Sequence, residues 1–387
     1  MHNPDVVMAV RVLFWVSAGL IFYVYAGYPV LLFLVSSFRR VAAVDPAFTP
    51  SISILIAAYN EEKSIRNKLE ETLALDYPAD RREILVLSDC SSDATDEIVQ
   101  SFADRGVRLI RVPQRLGKTN AQNFGVREAT GEVLIFSDAT TKYHSQALRH
   151  LAANYADARV GAVSGRYQYF DETGNSPTGA GTVAFWNYEN LIKALQSRIS
   201  TLTGCCGCIY SVRRILYTYL APGIISDLVQ PLWIVRQGFK VRFEPKALAY
   251  EATTTGNSEE YRMRVRVVTR AIHGVASVPG ILNPVRHPWV AFQLWSHKVL
   301  RWAVGAFLLI CLLSSAALAS QGFFRILLLG ELTFLLTALV AFTLPHSGFL
   351  KLFRIPLFFV LINSAALASI VEVLRGRRYD TWETVRK

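Results

Sequence analysis

Three hydrophobic, β-branched runs, each ending in a polar cluster, most constrain the fold of this chain. The runs are Ser51–Ala58, Glu83–Ser88 and Glu132–Ser137, and segments with helical character separate them. Strands that alternate with helices predict a parallel sheet, and ligands bind beyond the carboxyl ends of such strands. The clusters at those ends are Tyr59–Glu62, Asp89–Asp93 and Asp138–Thr141. The sequence therefore predicts an α/β domain with a ligand site at this edge of the sheet.

Both ends of the chain are more hydrophobic than its middle. The 387 residues are 52% hydrophobic, which is too apolar for a purely soluble domain, yet 18% are charged. Residues 12–37 carry no charge, and a bilayer span needs roughly 20 apolar residues as a helix. Apolar stretches near residues 303–320, 323–344 and 355–374 predict about three more spans. We therefore expect a soluble domain between membrane helices.

The charge pattern limits the partners and the orientation. Arg39 and Arg40 follow the first predicted span, which places its C-terminal side in the cytoplasm. Basic residues near the other spans do not give one consistent topology, so the number and orientation of the C-terminal helices stay open. The net charge is +11, and much of the excess lies between Arg262 and Arg301, beside the predicted membrane helices. This position favours anionic lipids and diphosphates over nucleic acid.

The five cysteines lack the spacing of a zinc site or of a disulfide framework. Three of them, Cys205, Cys206 and Cys208, are too close in sequence to ligate one tetrahedral ion easily, and no histidine follows at a suitable distance. We expect buried thiols.

Several segments resemble glycosyltransferase family 2, the inverting nucleotide-sugar transferases with a GT-A fold. The matching segments are Ala58–Glu61, Ser88–Asp93, Leu116–Asn123, Phe136–Ala139, Gly204–Arg214 and Ser226–Asp227. The hydrophobic flanks also resemble membrane-bound members that build polysaccharides. These are bacterial exopolysaccharide glycosyltransferases and, more distantly, cellulose, hyaluronan and poly-N-acetylglucosamine synthases.

The resemblance implies an α/β fold: a Rossmann-like GT-A domain with a mostly parallel sheet, facing the cytoplasm and flanked by transmembrane α-helices. The bacterial inner membrane is the expected location. The expected boundaries are 1–38 for an N-terminal transmembrane anchor, 39–50 for a linker, 51–275 for the GT-A catalytic domain, 276–302 for an interfacial amphipathic segment rich in tryptophan and basic residues, 303–374 for about three transmembrane helices, and 375–387 for a basic tail.

The resemblance also implies a set of residues that bind the sugar nucleotide. They are Ala57, Tyr59, Glu61, Asp89, Lys118, Asp138 and Arg266. Lys118 follows Gly117 at the start of a predicted helix, whose positive end attracts phosphate. Asp89 is expected to bind the base or the ribose, although an aspartate here can instead cap the following helix.

Asp138 is the expected metal ligand. Mg²⁺ or Mn²⁺ suits carboxylate and phosphate oxygens, and a cation between Asp138 and the diphosphate would neutralise charge as the glycosidic bond breaks. The family pattern is Asp-x-Asp, but position 140 is threonine here. Thr140 is neutral, so we expect it to contribute only weakly to metal binding.

The resemblance makes Asp227 the catalytic base. A carboxylate within reach of the acceptor hydroxyl would remove its proton while the sugar carbon is attacked from the opposite face. An α-linked donor then gives a β-glycosidic bond. The alternative is that Asp227 only caps the helix that it begins.

Further along, Arg262, Arg266 and Arg270 share one face of a predicted helix. Processive relatives carry Gln-x-x-Arg-Trp here, and Met263 and Val267 replace the glutamine and the tryptophan. An acceptor-facing or membrane-proximal position is expected for four residues, namely Gly204, Arg262, Arg270 and Trp302. Contact with lipid headgroups is the alternative role of the arginines.

The sequence thus predicts an inverting hexosyltransferase that moves a sugar from a nucleotide sugar, expected to be a UDP sugar, to a polysaccharide or lipid-linked acceptor at the membrane. One alternative is a processive synthase that also translocates its product. Another is a non-catalytic membrane scaffold that binds a nucleotide or a polymer. Membrane lipids are expected contacts and nucleic acid is not. Self-association and contact with other polysaccharide-assembly proteins stay open.

Overall fold

The computed structural model describes residues 3–39, 44–170, 179–252, 257–344 and 353–379. Parts of the expected linker (40–43) and of the basic tail (380–387) lie outside these ranges.

One mixed sheet of eight strands forms the centre of the middle domain. Its strands are β1 (Ile52–Ala58), β2 (Arg82–Ser88), β3 (Val107–Arg111), β4 (Val133–Asp138), β5 (Lys142–Tyr143), β6 (Val160–Phe170), β7 (Ile209–Arg213) and β8 (Lys240–Ala252). The spatial order is β3-β2-β1-β4-β7-β6-β8-β5. Only β7 and β5 run against the other strands, so the prediction of a mostly parallel sheet is confirmed.

Helices cover both faces of this sheet and continue into the flanks. They are α1 (Pro4–Phe22), α2 (Tyr28–Ser37), α3 (Ile65–Leu73), α4 (Thr95–Gln100), α5 (Lys118–Glu128), α6 (Ala147–Ala153), α7 (Gly179–Ile199), α8 (Ser226–Arg236), α9 (Asn257–Ala276), α10 (Pro288–Leu294), α11 (Leu300–Ala317), α12 (Gly322–Thr343) and α13 (Arg354–Leu374). The π-helical turns Tyr23–Gly27 and Trp295–Val299 join α1 to α2 and α10 to α11. Two hydrophobic cores, one on each face, hold the sheet and helices together.

Strands β1, β2 and β4 are buried along almost their whole length, as expected for apolar runs covered by helices on both sides. The register pairs Ala57 of β1 with Leu87 of β2 and Asp138 of β4. Their carboxyl ends therefore meet at one edge of the sheet. Because β7 runs antiparallel beside β4, with Ile209 opposite Ser137, the segment that leads into β7 reaches the same edge.

Four helical segments are long and apolar enough to cross a membrane: Pro4–Ser37, Pro288–Ala317, Gly322–Thr343 and Arg354–Leu374. The third of the chain's candidate spans contains Glu331, whose carboxylate accepts a hydrogen bond from Ser315. The segment expected to lie along the interface (276–302) forms, from Pro288 onwards, the beginning of the same continuous helix as α11. It packs against α7, where the side chains of Arg301 and Glu189 form an ion pair.

Candidate active site

The buried carboxylate of Asp89 organises the loop that leads into α5. Asp89 follows β2 directly and is 1% exposed. It accepts hydrogen bonds from the backbone N–H groups of Gly117 at 2.9 Å and Leu116 at 3.3 Å. Burial raises the pKa of Asp89, and these two hydrogen bonds oppose that rise. Asp89, which we expected to bind the nucleotide, thus also fixes the position of the loop that we expected to bind phosphate.

The ends of β1 and β2 are tied to each other by the polar cluster after each strand. Asn60 has a φ of 53° and Cys90 a φ of 60°, a left-handed conformation that non-glycine residues seldom adopt. The Asn60 side chain accepts a hydrogen bond from the Ser92 backbone at 2.8 Å. The Arg115 guanidinium lies 3.9 Å from the centre of the Tyr59 ring. These contacts form a rigid rim with an aromatic face beside Asp89.

Glu61 contacts the beginnings of two neighbouring helices. Its backbone N–H donates to the Thr95 hydroxyl at 2.7 Å, and its carboxylate accepts from the Ser64 hydroxyl at 2.5 Å. These two hydrogen bonds join the start of α3 to the start of α4, so Glu61 supports the site from one side.

Lys118, the first residue of α5, links the donor side of the site to β7. Its ammonium forms an ion pair with the Asp138 carboxylate and donates a hydrogen bond to the Gly207 carbonyl at 3.1 Å. Burial lowers the pKa of Lys118, but the negative charge of Asp138 outweighs it and the pKa ends above its ordinary value. Lys118 therefore stays cationic at the end of β4.

The oxygen-rich surroundings of Asp138 suit a divalent cation that is shared with a diphosphate. The Thr140 hydroxyl donates to the Glu251 carboxylate at 2.9 Å, and the Tyr167 hydroxyl also donates to Glu251. Within the described ranges no three His, Cys, Asp or Glu side chains are arranged to hold a metal ion. Mg²⁺ commonly binds through one or two carboxylates and the substrate's phosphates, so Asp138 fits that role and Thr140 is engaged elsewhere.

Asp227, the second residue of α8, points its carboxylate at Gly207. A Cβ atom added to Gly207 would lie 2.8 Å from the Asp227 Oδ2 atom. The Asp227 carbonyl accepts a hydrogen bond from the Cys205 N–H at 2.8 Å. Burial raises the pKa of Asp227, while the positive charges of Lys118 and Lys193 oppose the rise. The carboxylate is therefore a stronger base than an ordinary aspartate.

Two side chains hold the loop in front of Asp227. Arg270 donates to the carbonyls of Gly223 at 2.8 Å and Ile224 at 3.0 Å, and the Thr119 hydroxyl donates to the Ile224 carbonyl at 2.6 Å. Arg270 thus positions the start of α8 from α9.

We expect Gly207→Ala to lower the transfer rate, because the new methyl group would push the Asp227 carboxylate away from its present position. A displacement of about 1 Å at a reacting group can cost about 10²-fold in rate. The measurement is kcat with purified full-length protein. Gly330→Ala is the matched control, since a Cβ there meets nothing within 4 Å. Unchanged kcat in Gly207→Ala would contradict this placement of Asp227.

A cavity of about 220 Å³ lies between the domain that contains the sheet and the candidate membrane helices. Helices α7, α8 and α9 line it together with residues of three candidate spans. Asp227, Gly204 and Trp302 are among the expected site residues in its wall. Lining residues that were not predicted as site residues from the sequence are Phe185, Trp186, Glu189, Lys193, Arg264, His297, Lys298 and Arg301.

Most of the sequence-predicted residues form two groups in the structure. One group lies at the edge of the sheet, and the other, Gly204, Asp227 and Trp302, lies in the wall of the cavity. Ala57, Asp89, Lys118 and Asp138 meet at the edge of the sheet. Among the described lining residues of the cavity, α9 contributes Arg264, Val267, Val268 and Ala271 but none of Arg262, Arg266 and Arg270. The sequence did contain one indication of this cavity. Glu189 and Lys193 are four positions apart on α7, so these two charged residues share one face of the helix.

Comparisons with known proteins agree with this geometry. Residues 53–220 match the model of the family described as "Glycosyl transferase family 2". The probable glycosyltransferase YdaM of Bacillus subtilis is 28% identical over 235 residues, covering 56% of this chain and 54% of that protein. A poly-β-1,6-N-acetyl-D-glucosamine synthase of Staphylococcus aureus is 26% identical over 225 residues, covering 56% and 53%. Each match therefore spans about half the length of the relative.

Among solved structures, a mannosyltransferase from Pyrobaculum calidifontis, PcManGT, in complex with GDP-Man and Mn²⁺, has a TM-score of 0.72. The match covers 94% of this chain and 99% of that one, at 21% sequence identity. This similarity shows the fold, and it extends over the middle domain and the flanking helices alike.

Proposed function

We infer, from the glycosyl transferase family 2 domain that this chain carries, that it is a membrane-bound glycosyltransferase of the inverting type. It would move a sugar from a nucleotide sugar to an acceptor at the membrane and form a β-glycosidic bond. The observation that carries this proposal is a continuous set of contacts. Asp138 pairs with Lys118, Lys118 binds the Gly207 carbonyl, and Gly207 packs against Asp227.

On the donor side, Asp89 and Tyr59 would hold the nucleoside, and Lys118 would bind the diphosphate as it leaves. A partly buried ammonium in the first turn of α5 is suited to that anion. A UDP sugar is our proposed donor. GDP-mannose is the second candidate, because the structurally similar mannosyltransferase was solved with GDP-Man.

Asp138 would hold Mg²⁺ or Mn²⁺ together with the diphosphate. A divalent cation there supplies positive charge for the leaving nucleotide. When a diphosphate is present, the Lys118 ammonium can transfer its contact from Asp138 to a phosphate oxygen. Asp138 would then be available to hold the cation, and Lys118 would add a second positive charge beside the diphosphate.

On the acceptor side, Asp227 would take the proton from the attacking hydroxyl. Its carboxylate lies in the wall of the cavity that α7, α8 and α9 share with the membrane helices. The raised pKa increases its proton affinity, which favours general-base catalysis. Helices α7 and α9 also line this cavity and would limit the access of bulk water to the donor, which would slow its hydrolysis.

We place the domain at residues 51–275 on the cytoplasmic side of a bacterial inner membrane, where nucleotide sugars are available. Arg39 and Arg40 after the first candidate span support that orientation. The anchor, the linker, the amphipathic segment from 276 to 302 and the C-terminal helices keep the boundaries given above, except that the second candidate span begins within the amphipathic segment at Pro288.

We expect addition of one sugar per encounter, because the cavity is small and Val267 offers no ring to hold a polymer. Purified full-length protein in lipid nanodiscs would receive radiolabelled UDP sugars or GDP-mannose with a bacterial lipid extract. Products separated by size should be extended by one unit. A ladder of long products from this chain alone would support the processive alternative. No transfer from any donor would support the scaffold alternative.

A further inference from the structure

The cavity beside Asp227 lies where the catalytic domain meets the membrane helices. Tyr25 comes from the first candidate span, Lys298 and Trp302 from the second, and Ile362 and Asn363 from the last. Ionisable side chains in such helices are costly and usually mark a binding site. The ligand of this cavity can therefore reach it from the bilayer.

Four cationic side chains line the cavity, and two of them already have partners. The Arg301 guanidinium forms an ion pair with Glu189, and the Arg264 guanidinium pairs with the buried carboxylate of Glu260 at 2.8 Å. Burial raises the pKa of Glu189, but the neighbouring positive charge of Arg301 outweighs it and holds the pKa well below its ordinary value. The carboxylates of Glu189 and Glu260 therefore already neutralise the charges of these two arginines.

The other two cations are lysines. Lys193 lies within electrostatic reach of the Asp227 carboxylate, and Lys298 lies within reach of the Glu189 carboxylate. Lys193 is 7% exposed, and its ammonium lies 5.5 Å from the centre of the Trp186 ring. Across the described ranges, neither Lys193 nor Lys298 forms a hydrogen bond or a salt bridge through its ammonium. An ammonium held partly out of water without a direct contact to an anion is unfavourable, so these two lysines are suited to a negatively charged ligand.

Apolar side chains form much of the remaining wall of the cavity, namely Phe185, Leu228, Val267, Val268, Ile362 and Ala366. The polar side chains of Gln196, Thr203 and Asn363 also line it. A ligand that contacts both the lysines and the apolar side chains has an anionic group and a hydrocarbon chain. The donor's diphosphate is a poor candidate, because Asp89, Lys118 and Asp138 lie outside the described lining of this cavity.

We propose that the cavity binds the phosphate or diphosphate group of a lipid acceptor, with Lys193 and Lys298 as its counter-charges and α9 and α13 against its chain. This rests on the proposed function for the statement that the ligand is the acceptor. The anion would sit between the two ammonium groups, and the acceptor's hydroxyl would face Asp227.

The test measures binding without any sugar donor, so that it is independent of transfer activity. Full-length protein in phosphatidylcholine nanodiscs is titrated with dodecyl phosphate, and tryptophan fluorescence is recorded because Trp186 and Trp302 line the cavity. Dodecanol provides the chain without the charge, and inorganic phosphate provides the charge without the chain. Dodecyl phosphate should bind at least about tenfold more tightly than either.

Substitutions of the two lysines test whether their positive charges bind the phosphate group. Lys193→Gln and Lys298→Gln should each weaken dodecyl phosphate binding about tenfold or more, whereas Lys298→Arg should retain it. Lys246→Gln is the matched control, since Lys246 is exposed and lies outside the cavity.

Equal binding of dodecanol would refute the anion site, and equal binding of inorganic phosphate would refute the lipid. Unchanged binding in both glutamine variants would refute the lysines. A protein that binds dodecyl phosphate but transfers no sugar would refute the proposed function alone.

Discussion

Replacing Asp227 with asparagine should lower the rate of sugar transfer by about 10²–10⁴-fold, the usual contribution of a general base. Asparagine has nearly the same shape, so it would still pack against Gly207, but it cannot accept the proton of the acceptor hydroxyl. Nucleotide binding should be unchanged, because Asp89, Lys118 and Asp138 lie on the other side of Gly207. The measurement is kcat with a radiolabelled donor, together with a direct titration of UDP.

The pH dependence of the wild-type protein gives a second check on Asp227. A base works only when it is deprotonated, and burial raises the pKa of Asp227 above the ordinary value of 3.8. The acid limb of kcat/KM should therefore lie above pH 3.8 and disappear in the asparagine variant. Near-normal turnover by Asp227→Asn, with an unchanged acid limb, would remove Asp227 from the mechanism.

Removal of divalent metal should reduce transfer by about a thousandfold, since a cation at a leaving diphosphate contributes several kcal/mol. Chelated protein should recover its activity when Mg²⁺ or Mn²⁺ is added. Asp138→Asn should not recover at metal concentrations that saturate the wild type, because the amide is a weaker ligand for hard cations.

The matched control for Asp138 is Asp104→Asn, an exposed carboxylate away from the sheet edge. Its metal response should equal that of the wild type. Isothermal titration with UDP and Mn²⁺ would separate loss of metal binding from loss of nucleotide binding. Full activity in excess chelator would exclude a metal role for Asp138.

Much of the donor side was predictable from sequence because it depends on local order. The strands that end at Ala58, Ser88 and Asp138 are short apolar runs followed by polar residues, and parallel neighbours must bring these ends together. The sequence could not show that Asp89 also binds the loop at Gly117, because that contact joins residues 28 positions apart.

The acceptor side was less accessible from sequence. The cavity is formed by α7, α9 and helices near both ends of the chain, so its lining depends on tertiary packing. The basic run on α9 drew attention to Arg266, whereas Arg264 faces the cavity and Arg270 holds the loop before Asp227. A rotation of one or two residues on a helix changes the face by 100° or 200°, and sequence alone does not fix that rotation.

The flanks show the same distinction. Length and apolarity predicted one N-terminal and about three C-terminal spans, and four candidate helices are present. The sequence did not reveal that the segment around Trp295 and Lys298 continues into α11 through a π-helical turn. Its basic residues suggested the membrane surface, but His297 and Arg301 instead contact Glu189 of α7.

The stereochemistry of the product tests the central claim most directly. Full-length protein would be given a ¹³C-labelled sugar in an α-linked nucleotide donor that supports transfer, and the anomeric coupling constants of the isolated product would be measured by NMR. A single displacement with Asp227 as base predicts a β-linked product. An α-linked product would contradict this account, because retention requires a different mechanism.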